Sequence, residues 1–332
     1  MPRLLQNRVA GSRRSLPVTI GLTLVVWVLC GLLPRAMWGS LLCFMAATAL
    51  MVELNNQNSL IRVYSRMVSC SFLVMSCASC YLFTSLSGCF MLLCFVAFLL
   101  ISFRSYQDAA AQGYIYYAFF FLGLASMVFM PILFFLPLLW LLMLTHLQCL
   151  SWRTFAASLL GVFTPYWFVG VWMLSPLCHL SSDVMRLATP FSSVFALLHP
   201  EQLLHSVVSG GAAEYVFGLQ LLKAHVFSLA FVVVLGLTGI VHFLRTSYLD
   251  KFRVRQLYQL FIWLWFFTFV LIFVLPQHYD MLLWLLMVCT SPLIAHFLSL
   301  TSTRFTNAAS CLFVLVAILL TAYNIWSISL NS

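Results

Sequence analysis

Eleven runs of apolar residues, at 18–33, 39–53, 66–84, 88–103, 113–129, 131–148, 155–176, 224–244, 257–276, 280–300 and 306–327, take up most of the chain. Runs of this length and spacing belong in a bilayer. Lipid offers a backbone amide or carbonyl no hydrogen-bond partner, so a crossing segment satisfies its own groups by coiling into a helix of roughly 20 residues. The expected fold class is therefore all-α, a polytopic transmembrane helical bundle that makes one membrane domain of residues 1–332. Helices 1–7 would lie in 18–176 and helices 8–11 in 224–327, with the long loop 178–223 between them. Charged residues make up only 7% of the chain, against about 25% in soluble domains, which supports the same reading. Two points stay open. The run at 39–53 is short, and Met130-Pro131 either kinks one long helix over 113–148 or separates two.

In a soluble protein a net charge of +9 would suggest nucleic acid; in a membrane protein it is an orientation signal. With the N-terminus cytoplasmic, the cytoplasmic connections hold Arg3, Arg8, Arg13, Arg14, Arg62, Arg66, Arg104, Arg153, Arg245, Lys251, Arg253, Arg255 and Arg304. Only Arg35, Arg186 and Lys223 fall on the other side. One helix more or fewer would scramble this split, so the positive-inside bias supports the count as well as the orientation. The C-terminus and the loop 178–223 are then extracytoplasmic. The basic start followed by an apolar run resembles a signal peptide, but Leu33-Pro34-Arg35-Ala36 offers no small-x-small cleavage site, so the segment reads as an uncleaved anchor. Nine of the eleven cysteines lie in or beside apolar runs, where they act as small apolar residues.

The carboxylates divide as Asp183, Glu201, Glu214 and Asp280 outside and Glu53, Asp108 and Asp250 inside, with none expected in mid-membrane. Proteins that move protons or cations commonly bury an acid within the bundle, so this pattern argues against ion-coupled transport. His146, His242 and His296 are expected near cytoplasmic helix ends and His225 near an outer one. The strongest basic cluster, Arg245, Lys251, Arg253 and Arg255 around the single Asp250, reads as a contact for anionic lipid or for a partner protein. If a helix begins at Asn58, Arg62 and Arg66 lie one turn apart and could face one phosphate, with the amide-rich Asn55-Asn56-Gln57-Asn58 capping that helix.

The loop 178–223 carries Phe191, Val194, Phe195, Leu203, Leu204 and Val207 among polar residues, the pattern of an amphipathic element. Pro200 and Gly210-Gly211 bracket an expected short helix. Glu201 and His205 share a face of it, with His179, Asp183 and His199 nearby, but the spacing matches no zinc signature; neither a metal nor a cofactor is expected. Asp183 and Asp280 are the candidate catalytic bases for a transfer from a lipid phosphate, and Arg186, His278 and Lys223 are the candidate phosphate-binding groups.

Three segments carry a resemblance: Asn55-Asn56 with Leu60-Ile61-Arg62; the run 106–143 from Tyr106-Gln107 through Gly123-Leu124-Ala125-Ser126 and Pro131; and Trp152-Arg153 with Gly161 and Pro165-Tyr166. They resemble an uncharacterised family of bacterial multipass inner-membrane proteins, some of which bear a legacy label of beta-carotene 15,15'-monooxygenase. The label does not suit a helical chain, because carotenoid oxygenases are β-propellers with iron held by four histidines. The alternation of many helices with one long outer loop is also distantly similar to glycosyltransferases that use polyprenyl-phosphate sugars. Those enzymes usually carry an acid in the first outer loop, where this chain has only Arg35. The resemblance implies an inner-membrane envelope protein. The function expected first is the handling of a lipid-linked glycan, with a polyprenyl-phosphate-linked sugar as partner beside the lipid bilayer. A non-catalytic scaffold that contacts other membrane proteins is the alternative, and a transporter comes third; whether the chain is an enzyme stays open.

Overall fold

The computed structural model describes residues 10–63, 65–174, 225–301 and 303–331. These residues form eleven α-helices, and none of them lies in a strand. The helices are α1 Ser15–Leu29, α2 Trp38–Asn58, α3 Met67–Ala78, α4 Leu86–Ser102, α5 Gln112–Val128, α6 Phe135–Thr145, α7 Trp152–Leu174, α8 Val226–Thr246, α9 Phe252–Val274, α10 Tyr279–Leu300 and α11 Arg304–Asn331. Seven described segments are long and apolar enough to cross a membrane, those built on α2, α4, α7, α8, α9, α10 and α11. The chain is thus a helical membrane protein. The expected helix over 200–209, and the amphipathic loop that contains it, lie outside the described residues.

The open points of the sequence resolve in physical terms. Met130-Pro131 separates two helices: α5 ends before Phe129, whose backbone (φ −134°, ψ 84°) is no longer helical, and Pro131 opens the 3-10 turn Met130–Phe134, which needs no amide donor there. The short run at 39–53 becomes a 21-residue helix, because the amides at 55–58 continue α2. Asn58 Nδ2 donates to the Leu54 carbonyl one turn back (3.0 Å), and Ser59, left-handed at φ 47°, ends the helix. The amides therefore close α2 and do not cap the next helix. Arg62 lies in the irregular connection and Arg66 is the N-cap of α3, so the two do not share a helical face.

The core is organised around α10, whose residues Leu282 to His296 are all buried. A helix that is apolar all round must be enclosed by others or by lipid, and α3, α4, α8 and α9 enclose this one. Small residues set the approach. A Cβ on Gly239 of α8 would sit 2.5 Å from the Leu293 carbonyl carbon, and one on Gly236 would run into the Trp265 indole. That indole donates Nε1–H to Thr290 Oγ1 of α10 (3.0 Å), tying α9 to α10. Gly161 of α7 lies against the Tyr116 carbonyl of α5 in the same way. By contrast, α11 exposes Leu312, Leu315, Ile318 and Leu319 as an apolar outer face suited to lipid.

Hydrogen bonds between distant residues assign the helix ends to two levels. The ends of α2 and α4, the start of α9 and the end of α10 meet at a basic end. The end of α3 and the starts of α8 and α10 meet at the opposite end, where Tyr81 and Tyr279 share a hydrogen bond of 3.2 Å.

Candidate functional site

At the basic end, the last turn of α2, the 59–65 connection and the turn into α9 enclose a cavity of about 720 Å³. Its walls are polar for chemical reasons that the sequence makes visible one element at a time. From α2 come Asn55, Asn56, Gln57 and Asn58; from the connection, Arg62; from the α8–α9 turn and the first turn of α9, Asp250, Lys251 and Arg253.

Asp250 is the electrostatic centre. The 3-10 turn Ser247–Leu249 delivers it beneath the first turn of α9, and its side chain is fully buried. Oδ1 accepts Arg62 Nε–H at 2.6 Å, and Oδ2 accepts His296 Nε2–H at 3.1 Å. A carboxylate only accepts, so the imidazole presents its Nε2 proton here. Arg62, whose side chain is 34% exposed, also reaches the Thr246 carbonyl at 3.4 Å. The pair therefore has a buried half and a half facing the cavity.

Arg253 braces the floor. Its Nη2 donates to Asn58 Oδ1 (3.0 Å) and to the Phe103 carbonyl (3.2 Å) just beyond the end of α4, and its guanidinium lies 5.5 Å over the Tyr106 ring. A cation suits that position, because the last carbonyls of a helix have no partner within the helix. Alongside, Arg104 Nε donates to Gln57 Oε1 (2.9 Å), and Gln57 Nε2 donates to Glu53 Oε1 (2.6 Å).

Two features are left for a ligand. The side chains of Lys251 and Asn56 line the cavity without a hydrogen-bond partner among the described residues, and Lys251 begins α9 without a side-chain cap. Asn55 is 9% exposed; its Nδ2 donates to the Ser65 carbonyl (2.9 Å), while its buried Oδ1 accepts nothing among the described residues. The walls thus offer three cations against one already paired carboxylate, an uncapped helix N-terminus, and a buried acceptor that calls for a donor.

Of the expected site residues, Asp183, Arg186 and Lys223 lie outside the described residues. Asp280 stands in the first turn of α10, with Oδ1 buried and unpartnered among the described residues, and His278 ends the preceding turn with its ring 5.3 Å from Phe129. Both belong to the opposite end from the cavity. The basic cluster divides: Lys251 and Arg253 line the cavity, whereas Arg245 is exposed on the last turn of α8 and Arg255 lies 5.5 Å over the Phe252 ring. Asp250, expected as one acid among cytoplasmic bases, is instead a buried partner of His296. His225, at the opposite end, stacks on Tyr81 at 3.8 Å, and burial pushes its pKa below the usual histidine value.

Comparison with protein-family models, with curated proteins and with solved structures gives no match, so the functional reading rests on the geometry of the chain itself.

Proposed function

We propose that this membrane protein binds a lipid whose headgroup carries a phosphate and free hydroxyls, and that it does so in the cavity at its basic end. The observation that carries this is the joint presence in one cavity of the cations Arg62, Lys251 and Arg253 and the unpartnered buried acceptor Asn55 Oδ1. The cations and the α9 N-terminus suit a phosphate; the amide oxygen suits a hydroxyl. The wall also includes Val63 and Leu249, apolar residues 53% and 55% exposed, which suit the start of an acyl or prenyl chain better than bulk water.

A lipid-linked sugar has this chemistry, so the ligand class expected from the sequence is kept. The place differs: in this reading the headgroup sits at the basic end, which the positive-inside bias assigns to the cytoplasm. Asp280, at the opposite end, takes no part in holding it.

The test is binding to the purified protein in a neutral detergent, with dioctanoyl phosphatidylglycerol, dioctanoyl phosphatidylcholine and free glycerol phosphate as probes. Phosphatidylglycerol, which combines phosphate, hydroxyls and chains, is expected to bind best. Lys251→Ala is expected to weaken it about tenfold, the scale of one charge-assisted hydrogen bond. Equal binding of phosphatidylcholine, or no effect of Lys251→Ala, refutes the reading; tight binding of glycerol phosphate alone would instead mark a soluble ligand.

A further inference from the structure

We infer that headgroup binding draws Arg62 away from Asp250 and that the buried carboxylate is compensated by one proton taken up on His296. This rests on the binding reading above and adds a coupling to it. The geometry behind it is an asymmetry. Asp250 has one partner that faces the cavity and can turn, Arg62, and one that is wholly buried and fixed, His296, with a side-chain exposure of 0%. A phosphate seated by Lys251 and the α9 N-terminus competes with Asp250 for the Arg62 guanidinium. If the phosphate wins, a buried carboxylate loses its counter-charge, a costly state unless another cation appears beside it.

The neighbouring imidazoles are arranged to supply that cation. His296 already donates Nε2–H to Asp250, so a second proton must enter at Nδ1, which is buried and has no hydrogen-bond partner among the described residues. The adjacent ring, His242 of α8, has its centroid 5.3 Å from that of His296, and its Nε2 is likewise buried and unpartnered. The two unpartnered nitrogens stand on neighbouring rings, so His242 Nε2 is the acceptor we assign to a proton gained at His296 Nδ1, and His242 itself is partly exposed. The charges balance. Before binding, neutral His296 sits beside an Asp250–Arg62 pair; afterwards an imidazolium sits beside Asp250, and Arg62 pairs with phosphate.

Among the described residues, few groups bear on His296 from its surroundings. Asp250 and Arg62 come from the connections, His242 from α8 and Tyr258 from α9, its ring 5.1 Å away. On α8 and α9 the remaining bases are the exposed Arg245, Arg253, turned to Asn58 and Phe103, and Arg255, beside Phe252. In α3 and α4, which also pack on α10, cysteine is the only titratable residue type.

The experiment is calorimetric titration of the full chain in detergent with dioctanoyl phosphatidylglycerol, whose phosphodiester keeps its charge near neutral pH. Repeating it in two buffers of different ionisation enthalpy counts protons. The expected wild-type result is uptake of about one proton per lipid, with affinity rising up to about tenfold for each pH unit lowered across the transition. His296→Gln is expected to bind without proton uptake. Asp250→Asn, which releases Arg62 from its counter-charge, is expected to bind about tenfold more tightly and also without uptake. A gain in affinity cannot come from misfolding. Wild-type binding with no proton uptake overturns the coupling and leaves the binding reading standing; weaker binding by Asp250→Asn overturns the competition for Arg62; no wild-type binding removes both.

Discussion

The two ends of the bundle are tied together by the same kind of bond and put it to different use. At the basic end, Arg62, Arg104 and Arg253 reach across from one element to the acceptors of another and hold a polar cavity open between them. At the opposite end the ties are neutral and closely packed. Tyr279 OH donates to the His225 carbonyl (3.2 Å), and Asn324 Nδ2 donates to the Ala78 carbonyl (2.7 Å) and to Ser228 Oγ (3.3 Å). Beside them Trp27 stacks on Phe83 at 4.3 Å, and Phe44 contacts both. Long, flexible, charged side chains can brace helices at a distance and leave a volume between them, whereas short neutral ones must bring the helices into contact. The difference leaves a polar cavity at the basic end, where the proposed ligand would sit, and close packing at the other.

The largest expected effect comes from a change that damages both ends at once. Gly239→Val sets a branched side chain where a single Cβ already meets the Leu293 carbonyl at 2.7 Å, and backbone cannot swing aside as a side chain can. Forcing α8 off α10 is expected to cost about 3 kcal/mol and to abolish phosphatidylglycerol binding, because the turn that follows α8 carries Asp250 and Lys251 of the cavity wall and moves with it. A thermal unfolding midpoint equal to that of the wild type in the same detergent would show that α8 and α10 are not locked together here. A smaller change separates the ends. Asn324, 3% exposed, leaves the Ala78 carbonyl with only the Ser228 hydroxyl at 3.4 Å when it becomes Leu, at a cost of about 2 kcal/mol. Thermal stability should fall while lipid affinity stays at the wild-type value; a parallel loss of affinity would mean that the two ends are not independent.

What could be read from the chain follows the same division. The helices were legible because the bilayer requires internal hydrogen bonding along each apolar run, and each run corresponds to one of the eleven helices, seven of which are long and apolar enough to cross a membrane. The end of α2 was not, because four amides in succession look like a break; they continue the helix because Asn55 and Asn58 find the Ser65 and Leu54 carbonyls. The site was legible only in fragments. Arg62 and Asp250 are 188 positions apart and Asp250 and His296 are 46 apart, and no spacing rule links such residues. A cue did exist in the one acid set among Arg245, Lys251, Arg253 and Arg255, since a single carboxylate amid cations is placed to be drawn inward.

The smallest expected effect concerns protons, and here the two ends should respond with opposite sign. At the basic end, acidification favours the ligand-bound state by the coupling inferred above. At the opposite end, His225 is held against Tyr81, and burial pushes its pKa below the usual value. The unfolded chain then binds a proton more readily than the folded one, so stability should fall as pH drops through the usual histidine range and level off below the folded pKa. His225→Gln keeps a polar side chain and removes that titration. The unfolding midpoint of the lipid-free protein should therefore show a shallower acid slope in the variant, while the pH dependence of phosphatidylglycerol binding is unchanged. An identical acid slope with and without His225 would mean that the stacked imidazole can take up a proton without disturbing this end, and the contrast between a titrating basic end and a neutral opposite end would lose its sharpest measurable form.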